Sequence, residues 1–238
     1  MTVVRRVWPR GLKPAALLAV LTGIGLGMGT SCARAGSPGK SQSPPLSPRQ
    51  TVARLIELRD AGAYQQMTPL IVPERATDVV VTLVAVQDFL SANEQLCGVV
   101  RRHAGIGLAQ AIDQSQRAYH LDIFSKYVEL LDEAIAGDAA TVSFTVDGRL
   151  PARRTQLRRL AGTWRYDPGP GAYQQLADAF QKMARGLRQA MQEIETGRLT
   201  AQEMRDHPDR VIEEVRVRLL PGVSALPPSP TTQRAGAP

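Results

Sequence analysis

Residues 127–168 read YVELLDEAIAGDAATVSFTVDGRLPARRTQLRRLAGTWRYDP, and they are the only stretch of the chain with strand periodicity. Within them Val142, Phe144 and Val146 alternate with Thr141, Ser143 and Thr145. A period of two in β-branched and aromatic residues marks a strand with one buried face. The pattern predicts three or four short antiparallel strands, at 128–135, 140–146, 155–160 and 163–166. Gly137-Asp138 and Ala161-Gly162 supply tight turns, because glycine and aspartate tolerate the backbone angles that hairpins need. The segment DGRLP at 147–151 reads as a longer connection.

Helical patterns flank this sheet on both sides. Ser47-Pro48 reads as an N-cap with proline in the first turn, followed by Val52, Leu55 and Ile56 at helical spacing and a stop at Gly62. Residues 63–74 read as a short irregular piece. A long helix is expected from Glu74 to the basic cluster at 101–103; its run VVVTLVAV is apolar almost all round, as in a central buried helix. Residues 108–117 read as a weak helix, and 121–126 as a short helix or an approach to the sheet. After the break at Pro168-Gly169-Pro170-Gly171, the apolar positions Leu176, Phe180, Met183, Leu187, Met191 and Ile194 mark an amphipathic helix closed by Gly197. Thr200 and Glu203 form a capping box for a last helix reaching Leu220, with a break at Pro208. The class is α+β: a small antiparallel sheet packed against N-terminal helices and a C-terminal helical pair, in one domain at 48–220. Trp164, Tyr166 and the strand apolar residues are expected to form a floor for the helices at 79–90 and 176–194. The apolar stripe on 176–194 is read first as packing against the helix at 79–90; any apolar surface left over would serve a partner or dimer interface, and the oligomeric state stays open.

Residues 1–35 read as an export signal, with Arg5, Arg6, Arg10 and Lys13 ahead of an apolar run at 15–28 that is too short and glycine-rich to span a bilayer. Two processing readings compete. Ala33-Arg34-Ala35 is a small-x-small cleavage site, and MGTSC at 28–32 is similar to a lipobox in which Cys32 becomes a lipidated first residue. Gly29 departs from the branched apolar residue usual at that position. Residues 36–47 are a Pro/Gly/Ser linker, and 221–238 a Pro-rich tail expected to be disordered. The formal charge of +7 includes the four basic residues of the n-region, so a chain cleaved before Cys32 would carry 25 basic against 22 acidic side chains. That balance gives no case for nucleic acid. Cys97 lies among apolar residues at helical spacing and reads as a buried, inert thiol; two cysteines make no disulfide framework.

The turn AGDAATVSFTV, followed by LRRLAGTWRYDPG with Gly162, Trp164, Arg165 and Tyr166, resembles the nuclear-transport-factor-2-like superfamily, of ketosteroid-isomerase-like or cystatin-like fold, in a branch of bacterial exported proteins and lipoproteins. The resemblance covers about residues 50–168, and this chain departs from the group in carrying further helix after the sheet. It implies a pocket between sheet and helices, where a buried Asp or an Asp-His pair acts as general base. The candidates on that reading are His120, Asp122 and Asp132. The fold hosts enzymes, binding modules and scaffolds alike, so the residues must decide.

Those residues carry little else. Three scattered histidines without a carboxylate cluster make no metal site, no glycine-rich loop has phosphate-binding spacing, and neither a Gly-x-Ser-x-Gly elbow nor a histidine partner for Cys97 is present. No cofactor is expected. Arg149, Arg153, Arg154, Arg158, Arg159 and Arg165 lie on or beside the hairpins, with Arg153, Arg159 and Arg165 placed to share a face or edge. They are candidates for an anionic partner, whether lipid head groups, a wall polymer or an acidic protein surface; arginine also simply blunts sheet edges. Two functions stand at this point. One is a non-catalytic envelope module, exported or lipid-anchored on the periplasmic side, that binds a partner protein or small ligand. The other is a ketosteroid-isomerase-like enzyme with an Asp or His base.

Overall fold

The computed structural model describes residues 45–118, 121–171, 173 and 175–226. The export signal with Cys32, most of the linker, and His120 lie outside the described residues. The chain folds as α+β, in the order α1 (Pro48–Asp60), α2 (Pro73–Ala104), α3 (Ile106–Ala111), β1 (Val128–Ala136), β2 (Ala139–Val146), β3 (Arg149–Leu160), β4 (Thr163–Asp167), α4 (Leu176–Glu195), α5 (Ala201–Asp206) and α6 (Pro208–Val223). Short 3₁₀ segments at Tyr64–Leu70, Ser115–Ala118 and Asp122–Phe124 fill the connections.

Local chemistry explains the boundaries. Ser47 caps α1 by accepting from the Gln50 N–H at 3.3 Å, and the Gln50 side chain accepts from the Ser47 N–H at 2.8 Å. Pro73 opens α2, and Arg101, Arg102 and His103 occupy its last turn against the negative end of the dipole. Thr200 and Glu203 close the second capping box at α5.

The sheet is an antiparallel meander in the order β1-β2-β3-β4. The expected longer connection at 147–151 is instead a two-residue turn. Asp147 and Gly148 both take positive φ, 54° and 65°, which matches the twist of a tight hairpin. Pro151 is accommodated in β3 because the β2–β3 register slips between Phe144↔Arg153 and Val146↔Arg149, so Leu150-Pro151 bulges out of the ladder. A second irregularity lies in β1, between Leu130↔Phe144 and Glu133↔Val142. Glu133, just past it, accepts from the Arg49 N–H at 2.7 Å and the Ser47 hydroxyl at 3.2 Å, while Arg49 reaches the Leu130 carbonyl at 3.1 Å. A strand-borne carboxylate thus holds the positive end of α1 against the sheet.

One sheet face carries Ala140, Val142, Phe144, Thr155, Leu157, Trp164 and Tyr166, all buried. The packing on that face differs from expectation. Its main covering elements are α1 and the segments 64–70 and 122–124; α4 packs on α2, as the favoured reading of its apolar stripe has it, and also on α6. The Phe89 and Phe180 rings meet at 5.4 Å across α2 and α4. Because α2 is apolar on several flanks, it serves two neighbours at once. Tyr166 sits edge-on to Phe124 at 5.6 Å rather than against Phe180. The other sheet edge is closed by Ile71 and Val72, whose N–H reaches the Tyr166 carbonyl at 3.0 Å.

At the C-terminus, Pro221 and Gly222, read as part of a disordered tail, belong to α6. The helix continues because its final turn is packed: Gly222 abuts Met183 and Ala179 of α4, and Gly186 of α4 abuts the Arg218 backbone of α6. Arg218 ties the same crossing to Glu193, and to Glu214 at 2.9 Å.

Cys97 is buried on α2 and its thiol is free, as expected. Burial, reinforced by the Asp113 charge, pushes it up to about 11. At about pH 8 only roughly one thiol in a thousand is then ionised. Cys97 in the native protein is expected to resist iodoacetamide and to react fully in guanidinium, with the modified peptide followed by mass spectrometry. Rapid native labelling would contradict this burial.

Candidate functional site

Among the described residues, Asp122 is the predicted base that the fold places in the interior. It sits in the short turn 122–124 with φ of 52°, a left-handed conformation that aspartate tolerates better than most residues. Its Oδ2 accepts the Tyr166 hydroxyl at 2.7 Å and the Thr155 hydroxyl at 3.1 Å, and the Ile123 N–H also donates to the carboxylate. The Tyr166 and Tyr173 hydroxyls lie 3.1 Å apart, and Thr82 on α2 donates to the Tyr173 carbonyl at 3.2 Å. The chain Thr155–Asp122–Tyr166–Tyr173 therefore joins β3, the 122–124 turn, β4 and the loop before α4. Burial raises the Asp122 carboxyl above its ordinary range, although the hydrogen bonds and the Arg153 charge oppose the shift. Burial likewise keeps both tyrosines protonated far above their usual range.

Beside this network, but not including Asp122, a pocket of about 220 Å³ opens between the end of α1, the middle of α2 and residues 118–126. Leu83, Val86, Leu90, Ala118, Leu121 and Phe124 make its apolar lining. Arg59, Asp60, Tyr64, Gln87 and Lys126 make its polar rim. Arg59 is held in place by the Phe124 and Ser125 carbonyls, at 2.8 and 2.5 Å, and by Asp60 at 2.9 Å. Tyr64 donates to the Gln87 side chain at 3.4 Å. The volume exceeds the ~150 Å³ cavity that takes benzene and falls below the ~300 Å³ usual for a drug-sized ligand.

Asp132 lies elsewhere, exposed at the β1 irregularity. It borders an open polar concavity of about 260 Å³ with Glu133, Ala134, Thr141, Ser143 and Arg154 on the outer sheet face. Asp122 and Asp132 are thus on separate surfaces and make no pair.

The arginines divide by register. Arg153 pairs across from Phe144 and Arg159 from Trp164, so both take the inner face; the Arg159 guanidinium lies 5.8 Å from the Trp164 ring centroid. Arg165 faces Arg158 and shares the outer face with Arg154. The expected grouping of Arg153, Arg159 and Arg165 is therefore corrected, because cross-strand partners share a face. Arg158 is paired with Glu74 and with Asp167, the latter at 2.6 Å, which offsets part of the outer charge. Among the described residues no group of His, Cys, Asp and Glu could hold a metal ion, and no helix is long and apolar enough to cross a membrane.

Tyr173, Thr155 and the pocket lining were not singled out from sequence. The one local signal was an acid inside an apolar run, Leu121-Asp122-Ile123-Phe124. Set against known protein families, curated proteins and solved structures, the chain matches none of them.

Proposed function

We propose that this chain is an exported, tethered and non-catalytic module of the bacterial envelope that binds a small apolar ligand, or the apolar end of a larger one, in the pocket between α1, α2 and residues 118–126. The carrying observation is that pocket, with an apolar lining and a polar rim already held in position. Such a site selects by shape and desolvation, with the rim orienting one polar group. The basic n-region, the apolar run at 15–28 and the linker at 36–47 support export, and MGTSC supports a lipid anchor at Cys32. The nuclear-transport-factor-2-like resemblance stands as part of this proposal. The enzymatic alternative draws less support, since Asp122 lies outside the pocket lining and its carboxylate is occupied by Tyr166, Thr155 and the Ile123 N–H.

The test is titration with 2-naphthol, a two-ring probe with one hydroxyl, followed by ligand-observed NMR. Saturable one-to-one binding is expected, lost in Leu90→Arg, which fills the pocket mouth, while the circular dichroism spectrum and melting transition stay close to wild type. Binding unaffected by Leu90→Arg, or absent from the wild type, would overturn the reading.

A further inference from the structure

We propose that the end of the sheet built from Tyr127 and the β2–β3 hairpin is a seat for an anionic lipid surface. Leu150 is the most exposed large apolar side chain among the described residues, at 82%, and Tyr127 follows at 66%. Two irregularities of backbone put them there. The slip in the β2–β3 register pushes Leu150-Pro151 out of the ladder, and Tyr127 takes a φ of 57° at the entry to β1. They are neighbours in space, because the Asp147 N–H donates to the Tyr127 carbonyl at 3.1 Å and Val146 pairs with both Val128 and Arg149.

Basic side chains surround this apolar end. The Lys126 ammonium lies 5.0 Å from the Tyr127 ring centroid, and Arg149 and Arg153 stand exposed on either side of Leu150. The acids nearby are Asp113, whose charge is felt by Lys126, Asp147 in the turn, Glu129 opposite Thr145, and Asp122, already engaged by Tyr166 and Thr155. The feature is convex. A projecting leucine and proline suit a soft, flat surface that they can enter, not a groove. Tyrosine, with an apolar ring and a polar tip, and long basic side chains reaching outward are the residue types that settle at a bilayer interface. Each basic residue near an anionic surface adds attraction that salt screens.

The chain enters the folded domain close by. Arg49, at the start of α1, bonds the Leu130 carbonyl, and three residues of strand from there to Tyr127 span about 10 Å. The start of α1 therefore lies near the end proposed to face lipid. A weak contact of this kind acts as a second membrane signal. It does not depend on the pocket being a ligand site.

Residues 15–28 are apolar enough to associate with bilayers themselves, so the readout must sit at the tip. The full chain carrying Cys32→Ser and Leu150→Cys is labelled at position 150 with the environment-sensitive fluorophore NBD, Cys97 being buried. With vesicles containing phosphatidylglycerol the emission is expected to shift to the blue and rise about twofold on entering the interface. The change is expected to shrink in about 0.5 M salt and in the Arg149→Gln, Arg153→Gln variant. It should be absent when the label is carried by Thr196→Cys, at the C-terminal cap of α4. No shift at position 150, an equal shift at 196, or an equal shift with pure phosphatidylcholine would overturn the proposal.

Discussion

Gly186→Ala is expected to destabilise the domain by about 2–3 kcal/mol, as overpacking does. The sign is the informative part, because alanine is the better helix former by up to ~1 kcal/mol, and in open space the same change stabilises. At Gly186 there is no open space. An added Cβ would lie 2.5 Å from the Arg218 carbonyl oxygen and 3.0 Å from its carbonyl carbon, both backbone atoms of α6 that move only if the helix moves. Gly98, on α2, is the internal control: the nearest atom to an added Cβ there is the flexible end of Arg102, at 4.0 Å. Gly98→Ala is expected to be neutral or stabilising by up to ~1 kcal/mol. Thermal melts of the two variants beside wild type read the contrast, with the 186 variant melting several degrees lower and the 98 variant unchanged or higher. Two shifts of the same sign would mean that α4 and α6 are not in such close contact.

Asp122→Ala should cost about 2–3 kcal/mol, since it strips the acceptor from a buried tyrosine and a buried threonine and places alanine in a left-handed conformation that aspartate and asparagine tolerate better. Asp122→Asn keeps an acceptor oxygen and the backbone tolerance, so its cost should be smaller. The pH dependence of that cost has a definite sign. Burial raises the Asp122 carboxyl in the folded chain above its unfolded value, so the native state holds the proton more firmly than the unfolded state does. Its contribution is then complete in acid below the ordinary carboxylate range and is lost as pH rises through the folded value. Glu74, Asp113 and Glu203 are shifted the other way, by the Arg158 side chain, by the Ser115 and Asn93 hydrogen bonds and by the Thr200 backbone, and they lose their contribution as pH falls. These opposing groups cancel when wild type is compared with Asp122→Asn at each pH. Urea unfolding across about pH 4 to 8 should show the asparagine variant's deficit largest in acid and shrinking toward neutrality. A deficit that grows with pH would place the carboxyl below its ordinary range.

The elements were largely legible because their signals are local. Alternation in 139–146 and 155–166, the two capping boxes and the glycines at the turns are each decided within a few residues. At 147–151 the local signals conflict: Asp147-Gly148 suits a tight turn and Pro151 disfavours a strand, and only the bulge, invisible in the sequence, reconciles the two. The arginine faces could not be assigned without register, since one residue of slip exchanges inner and outer sides. The site was harder still. Asp122 meets Tyr166 across 44 residues and Thr155 across 33, and nothing in the periodicity of either segment encodes that meeting. The pocket was hidden for the opposite reason: α2 is apolar on so many flanks that its open side has no sequence mark. Its lining also comes from three segments that are distant in the chain.

The irregularity in β1 bears on how the molecule meets copies of itself. An exposed sheet margin is a template on which another extended chain can assemble, and unchecked growth of that kind ends in fibres. Here the margin is interrupted at Leu131-Asp132, the acids Asp132 and Glu133 stand in the break and just past it, and α1 is fastened across it through Arg49. The opposite margin is occupied by Ile71 and Val72. Among the described residues the sheet is left with short or interrupted margins, which makes its strands poor templates for recruiting one another.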